Sequence, residues 1–277
     1  MGSTAESAAP DVAAAQPSGP PGLAGRMLAL ATIGFAVNFW AWALISPLGS
    51  AYRAEHGLST VQQALLVAVP VVVGSLGRIP VGALTDRLGA RLMFPAVTLL
   101  TVIPVLFVGF VADTYPLLLL GGFFLGLGGT TFAIGIPLVN AWFPPQRRGL
   151  ALGIFGVGMG GTAISAFTTV RLFKSSLGHT APFVIVACVL VAYALVAAVW
   201  LRDAPGRTVP QGSFVTRTWD TIKLPATGQL SVIYAVGFGG FVAFSVYLPT
   251  QLINEYGLDA NDAALRTAGF VVLAVAM

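Results

Sequence analysis

Apolar stretches long enough to cross a lipid bilayer recur along this chain, and no other feature limits its fold as tightly. They lie near residues 27–50, 61–84, 92–112, 115–142, 148–171, 181–201 and 228–252, and an eighth begins near 263. About twenty helical residues cross a hydrocarbon core roughly 30 Å thick. Lipid offers the backbone no hydrogen-bond partners, so each stretch must be a helix. Only 9% of the 277 residues are charged, against about 25% in soluble domains. A water-soluble fold could not hide so much apolar surface. The chain is therefore read as an all-α membrane protein, with the bilayer as its solvent.

The segments have an order. Residues 1–25 are rich in Ala, Pro, Ser and Gly without apolar periodicity and are expected to form a disordered cytoplasmic tail. Residues 26–201 hold six spans, 202–227 form a polar linker with several basic residues, and 228–277 begin a second set of spans. With the N-terminus inside, the inner ends carry nine Lys and Arg residues and the outer ends four. That asymmetry favours a cytoplasmic N-terminus. The pair Arg171 and Lys174, on the outer side, goes against it. The net charge of +4 is scattered between spans, with no basic stripe, so no nucleic-acid partner is expected. Cys188, in the sixth apolar run, reads as a small core residue, and a lone cysteine excludes an internal disulfide.

Residues 55–65 (EHGLSTVQQAL) and 255–265 (EYGLDANDAAL) share Glu, Gly, Leu, Ala and Leu at a constant offset of 200 residues. Two parallel six-helix halves would produce this register. Met277 aligns with Gly77, so the next residue would align with Arg78. The reading predicts a truncated chain whose missing C-terminal half would supply a second intramembrane arginine. Residues 1–277 alone are then not expected to transport.

Arg78 is the one charge placed deep in a span. It lies eight residues before Asp86, at the inner end of the second span, which is about 12 Å into the core. An arginine there costs about 3 kcal/mol or more. None of the ten acidic residues falls in the middle of a span, so a bound anion is the simplest counter-charge. A guanidinium presents a planar donor fork that suits oxyanions. Gly74 and Gly82, four residues to either side, are expected to leave open space on that helix face.

Two patterns then bear on family. Gly82-Ala-Leu-Thr-Asp86-Arg87-Leu-Gly89-Ala-Arg91 resembles the loop between the second and third spans of the major facilitator superfamily. Asp86 in such a loop can cap a helix N-terminus or pair with an arginine and so hold one conformation. The run from Gly128-Gly129-Thr-Thr131-Phe132 through Gly156-Val-Gly158-Met159-Gly-Gly161 crowds glycines near one depth, where they pack helices closely and bring backbone N–H groups toward a cavity. Together with Tyr234 and Gly237-Phe238-Gly239-Gly240-Phe241, it resembles the nitrate/nitrite porter family of that superfamily.

The resemblance implies a major facilitator fold, here the first six-helix half, the seventh span and the start of the eighth. It implies a small inorganic anion as cargo, bound by Arg78, Phe132, Tyr234, Gly128, Gly129, Gly158 and Met159, with the two aromatics packed on a flat ion. Gly82, Asp86, Arg87, Gly89 and Arg91 form the conformational motif. Met159 stands where that family usually has asparagine, which opens the choice among nitrate, nitrite and another anion. An organic monocarboxylate carrier of the same fold and a non-transporting membrane remnant are the rival readings. No cofactor, metal cluster or catalytic triad is expected; His56 and His179 both fall in outer loops.

Overall fold

The computed structural model describes residues 21–276, apart from 208 and 210–212. Residues 1–20 of the expected disordered tail lie outside them, and residues 21–25 are not disordered: they open the first helix, Pro21–Trp42. The described residues are helical with no strand. Seven helices are long and apolar enough to cross a membrane: Gly22–His56, Thr60–Leu88, Ala90–Phe110, Tyr115–Trp142, Pro145–Phe173, Ala181–Trp200 and Pro225–Tyr256. A shorter apolar helix, Ala260–Ala276, follows. Several outlast their apolar stretches because polar ends such as Arg53 and Glu55 continue the helix. The seventh starts at Pro225 rather than 228, since proline is well placed in a helix's first turn.

Four of the spans change winding or break near their middle. The first is interrupted between Trp42 and Ile45. The fourth and fifth tighten into 3-10 turns at Gly126–Thr130 and Val157–Gly160. The seventh loosens into a π turn at Ala235–Gly239. The last three are the glycine-rich segments, where helical preference is weakest. Backbone carbonyls freed there must still be paired in lipid. Threonines do it: the hydroxyls of Thr130, Thr131 and Thr162 donate to the carbonyls of Leu127, Gly128 and Met159 at 2.7, 2.8 and 3.0 Å.

The first span runs through the centre of the bundle, against the fourth, fifth and sixth, while the third and sixth pack lengthwise on each other. Phe35 and Phe39 on it are fully buried, and Phe35 stacks on Phe155 at 4.8 Å. Close approach depends on glycine. A side chain at Gly161 would run into the Ala36 carbonyl and the Trp40 nitrogen of the first span. Cys188, read as a core residue, is exposed on the sixth span. Both faces of a membrane helix are apolar, so apolar sequence alone cannot separate its core face from its lipid face.

The repeat at offset 200 is also a repeat of geometry. Helices end at His56 and at Tyr256, each followed by a glycine in the left-handed conformation, Gly57 and Gly257, both at φ 62°. The next helices begin at Thr60 and Ala260. Ser59 caps the first through a box with Gln62, and the Asp259 carboxylate accepts from the Asn261 N–H at 2.8 Å. The first and seventh spans also meet in this register, since the Ser46 hydroxyl donates to the Val246 carbonyl.

The outer basic pair has partners. Arg171 donates to the Phe167 carbonyl at 2.6 Å and lies over that ring, and Lys174 reaches Asp259 at 3.7 Å. The backbone N–H of Asn261 holds the Asp259 carboxyl below its ordinary range, against slight desolvation, and Lys174 adds to this. A carboxyl with a lowered folded pKa stabilises above its unfolded value and loses that contribution as pH falls through the folded one. It is fully charged at neutral pH, and the pair is exposed and screened. Lys174→Ala is therefore expected to leave the thermal midpoint unchanged at physiological salt; a fall of several degrees in a melting experiment would contradict this.

Candidate functional site

Small residues bring the second and fourth spans together at Arg78. A Cβ on Gly74 would stand 3.0 Å from the Gly126 carbonyl, 3.2 Å from the Trp42 indole nitrogen and 3.4 Å from the Gly129 Cα; one on Gly77 would stand 2.9 Å from Thr130 Cγ2. The space expected beside Gly74 is thus filled by the fourth span's 3-10 turn. At Gly82 the Ala133 methyl is at an ordinary 3.8 Å. The glycines do not hold a void open; they let the second span close on the fourth.

That closure sets the arginine's partners. Arg78 is half-buried. Its Nε donates to the Gly129 carbonyl at 3.3 Å, and Nη1 donates to the Tyr234 hydroxyl at 3.3 Å. Its Cζ lies 5.0 Å from the Phe132 ring centre and 4.8 Å from that of Phe238. Among the described residues no carboxylate pairs with it. A cation in a membrane is here held by a carbonyl, a phenol and two aromatic faces, which attract positive charge. A guanidinium has five N–H donors. Two are engaged, so three remain.

The rings form a continuous set. Tyr234 and Phe238 stack at 4.8 Å and 13°, Phe238 and Phe132 at 5.6 Å and 28°, and Phe132 and Tyr234 lie 6.0 Å apart. Behind them Phe132 meets Phe35 at 5.5 Å. Two rings holding a flat ion between them stand roughly 7 Å apart, twice a carbon contact distance. None of these pairs is that far apart. In this conformation the rings touch one another beside the guanidinium, and an ion enters between them only if one swings away.

Of the residues singled out from sequence, Arg78, Phe132, Tyr234 and Gly129 come together. Gly128 is one layer back: a Cβ there would meet the Asn38 carbonyl at 2.8 Å. Gly158 lies against Phe35, whose Cβ is 2.8 Å from where its own would be. Met159 packs into the apolar cluster around the first span. These residues support the rings and do not touch the arginine. Phe238 does touch it, yet sequence reasoning named only its motif. A signal was available, since Tyr234 and Phe238 are four apart on one helix and so share a face. The π turn between them adjusts that face, and such turns occur often at functional sites.

The loop motif is also anchored from outside itself. Gly89 has φ 88°, and a side chain there would collide with the Asp203 carboxylate. Asp203, from the segment after the sixth span, accepts from the Arg91 backbone N–H at 3.2 Å, in the first turn of the third span. The start of the third span is therefore capped by Asp203, a residue outside the loop motif. Arg207 pairs with Asp203 at 3.9 Å and donates to the carbonyls of Asp86 and Arg87 at 2.8 and 3.3 Å. Trp142 donates to the Arg202 carbonyl at 3.0 Å. The ends of the second, third, fourth and sixth spans are tied into one knot. Gly89→Ala should loosen it by about 1–3 kcal/mol, through a left-handed strain and a displaced cap. Faster hydrogen exchange at residues 85–91 would report it; unchanged exchange would count against the knot.

No group of three or more His, Cys, Asp or Glu among the described residues could hold a metal ion.

Comparison with known proteins places this arrangement. The family described as Major Facilitator Superfamily matches residues 31–277. A Mycobacterium tuberculosis protein named probable nitrate/nitrite transporter NarK2 is 50% identical over 250 residues, which are 90% of this chain and 63% of that protein. A Bacillus subtilis protein named nitrite extrusion protein is 37% identical over 246 residues, covering 89% of this chain and 61% of its own length. Among solved structures, an inward-facing, unoccupied bacterial homologue of the human lysosomal transporter Spinster superposes with a TM-score of 0.70 at 20% identity, over 92% of this chain and 61% of its own. The chain thus spans less than two thirds of these relatives.

Proposed function

This chain belongs to the Major Facilitator Superfamily, and on that premise we propose that it works in a carrier moving nitrate or nitrite across the cytoplasmic membrane by alternating access. The observation that carries the reading is Arg78: a guanidinium at mid-membrane depth, without a carboxylate partner, with three N–H donors left and aromatic faces around it. A flat oxyanion meets each of these. It takes two N–H donors at once, neutralises the charge, and lies against rings. The names of the Mycobacterium and Bacillus relatives support the same cargo class. In this reading the N-terminus is cytoplasmic, as the distribution of Lys and Arg favours. The relatives' additional length would bring further helices, and a second cationic group, against the exposed face of the seventh span.

Binding couples to shape through the rings. For an ion to reach the guanidinium, Phe238 and Tyr234 must part from Phe132. Tyr234 stands just before the π turn and Phe238 within it, among glycines 237, 239 and 240, where an added Cβ would touch nothing within 4 Å. The seventh span can therefore bend there without disturbing packed neighbours, and the anion's contact energy would draw the two halves together.

The test is exchange in proteoliposomes, using a carrier of the relatives' full length that contains these residues. Vesicles loaded with nitrate and challenged outside with nitrite should exchange, and formate or acetate should compete weakly. Equal competition by the carboxylates would shift the cargo to organic monocarboxylates. No flux of any of these anions would remove the proposal. In the same assay Tyr234→Phe, which deletes one neutral partner of Arg78, should raise the half-saturating anion concentration about fivefold, the worth of one ordinary hydrogen bond.

A further inference from the structure

The linker between the sixth and seventh spans contains a helix, Phe214–Ile222, that the transport site does not use. At about 100° per residue, positions 214, 215, 218, 219 and 222 fall in one arc, and positions 216, 217, 220, 221 and 223 in the opposite one. The first set is Phe, Val, Thr, Trp and Ile; the second is Thr, Arg, Asp, Thr and Lys. Trp219 and Ile222 are 58% and 55% exposed, and Leu224 just beyond is 56% exposed. Lys223 places its ammonium 5.5 Å from the Trp219 ring centre.

The place of this helix is fixed by the chain. Span seven begins at Pro225, three residues past Ile222. Three residues reach at most about 11 Å. The corner is hydrogen-bonded: the Thr227 hydroxyl donates to the Thr221 carbonyl at 2.6 Å, and the Leu224 and Thr227 N–H groups donate to the Thr221 and Leu224 carbonyls. The helix is thus held at the level where span seven enters the membrane, with Trp219 and Ile222 exposed on its apolar arc.

We infer that this linker helix lies in the membrane–water interface, its Trp219–Ile222 face among the acyl chains and its Lys223 side on anionic lipid headgroups. A short helix with tryptophan on one face and basic residues at its edge has the composition of interfacial helices. The occupant is lipid because the helix is covalently pinned to the bilayer's edge. The headgroups are anionic because Lys223 stands at the edge of the arc beside Trp219. Docked so, the helix fixes the starting point of span seven, and with it the span that carries Tyr234 and Phe238.

The full chain, with Cys188→Ser, is given one nitroxide label at a time through Trp219→Cys, Asp220→Cys or Ile222→Cys. Each is reconstituted in phosphatidylcholine alone and in a mixture with phosphatidylglycerol. Collision with oxygen reports lipid, and collision with a nickel chelate reports water. Labels at 219 and 222 should meet oxygen and be shielded from nickel, the label at 220 the reverse. Phosphatidylglycerol should deepen the label at 222. Lys223→Glu should cancel that gain, weakening association with the anionic bilayer about fivefold or more, the worth of a basic residue near such a surface. Equal nickel access at all three sites, shielding of all three from both reagents (a protein cover), or indifference to phosphatidylglycerol would each overturn the inference.

Discussion

Arg78→Lys is expected to reduce anion exchange to background although the positive charge is kept. The guanidinium serves several partners at once: Nε donates to the Gly129 carbonyl, Nη1 donates to Tyr234, and three N–H groups are left for an anion once the rings part. A lysine ammonium is a single point with three donors at one nitrogen. It can satisfy the carbonyl or face an anion; it cannot hold the planar fork that does both. Losing two charge-assisted bonds, at about 1.5–3 kcal/mol each, weakens binding by roughly two to four powers of ten. The readout is isotopic nitrate–nitrite exchange in proteoliposomes, with Tyr234→Phe as the mild comparison. Exchange at the unaltered rate in the lysine variant would mean that bare charge suffices and that fork geometry has no part.

The second large effect is on stability. Gly161→Ala should lower the thermal midpoint in detergent by several degrees, while Gly156→Ala and Gly160→Ala leave it equal or slightly raised. The three belong to one glycine-rich run and look alike in sequence. In the fold, a methyl at 161 would collide with the backbone of the first span, at the Ala36 carbonyl and the Trp40 nitrogen, whereas one at 156 or 160 meets nothing within 4 Å. Backbone cannot turn aside as a side-chain tip can. Overpacking of this kind costs about 1–3 kcal/mol, and the open sites gain from alanine's smaller entropy loss. A Gly161→Ala variant as stable as the parent would show that the first and fifth spans separate easily, and the tight central packing would have to be given up.

Much of this was legible before any coordinates. Span positions follow from the length of apolar runs, since a bilayer of fixed thickness dictates them. That Arg78 lies well inside the second span followed from its distance to Asp86. The turn at Gly57 and Gly257 followed from five matched letters. The parts that were not legible share a cause. When both lipid and interior are apolar, hydrophobic pattern no longer reports burial, so Cys188 was placed in the core and stands outside it. Winding changes are set by packing, so the 3-10 and π turns, and with them Phe238 beside Arg78, needed the fold. Asp203 capping the third span, 112 residues from Arg91, is a pairing no local motif announces. Gly74 was taken to open space and instead admits the fourth span.

The third and sixth spans run unbroken and lie along each other, while the first, fourth, fifth and seventh each carry an irregular turn midway. The molecule therefore separates stiff struts from jointed rods. Bending in such a frame gathers at the joints, while the struts keep their length. In the carrier proposed above, movement falls to these joints, and the paired struts keep their packing.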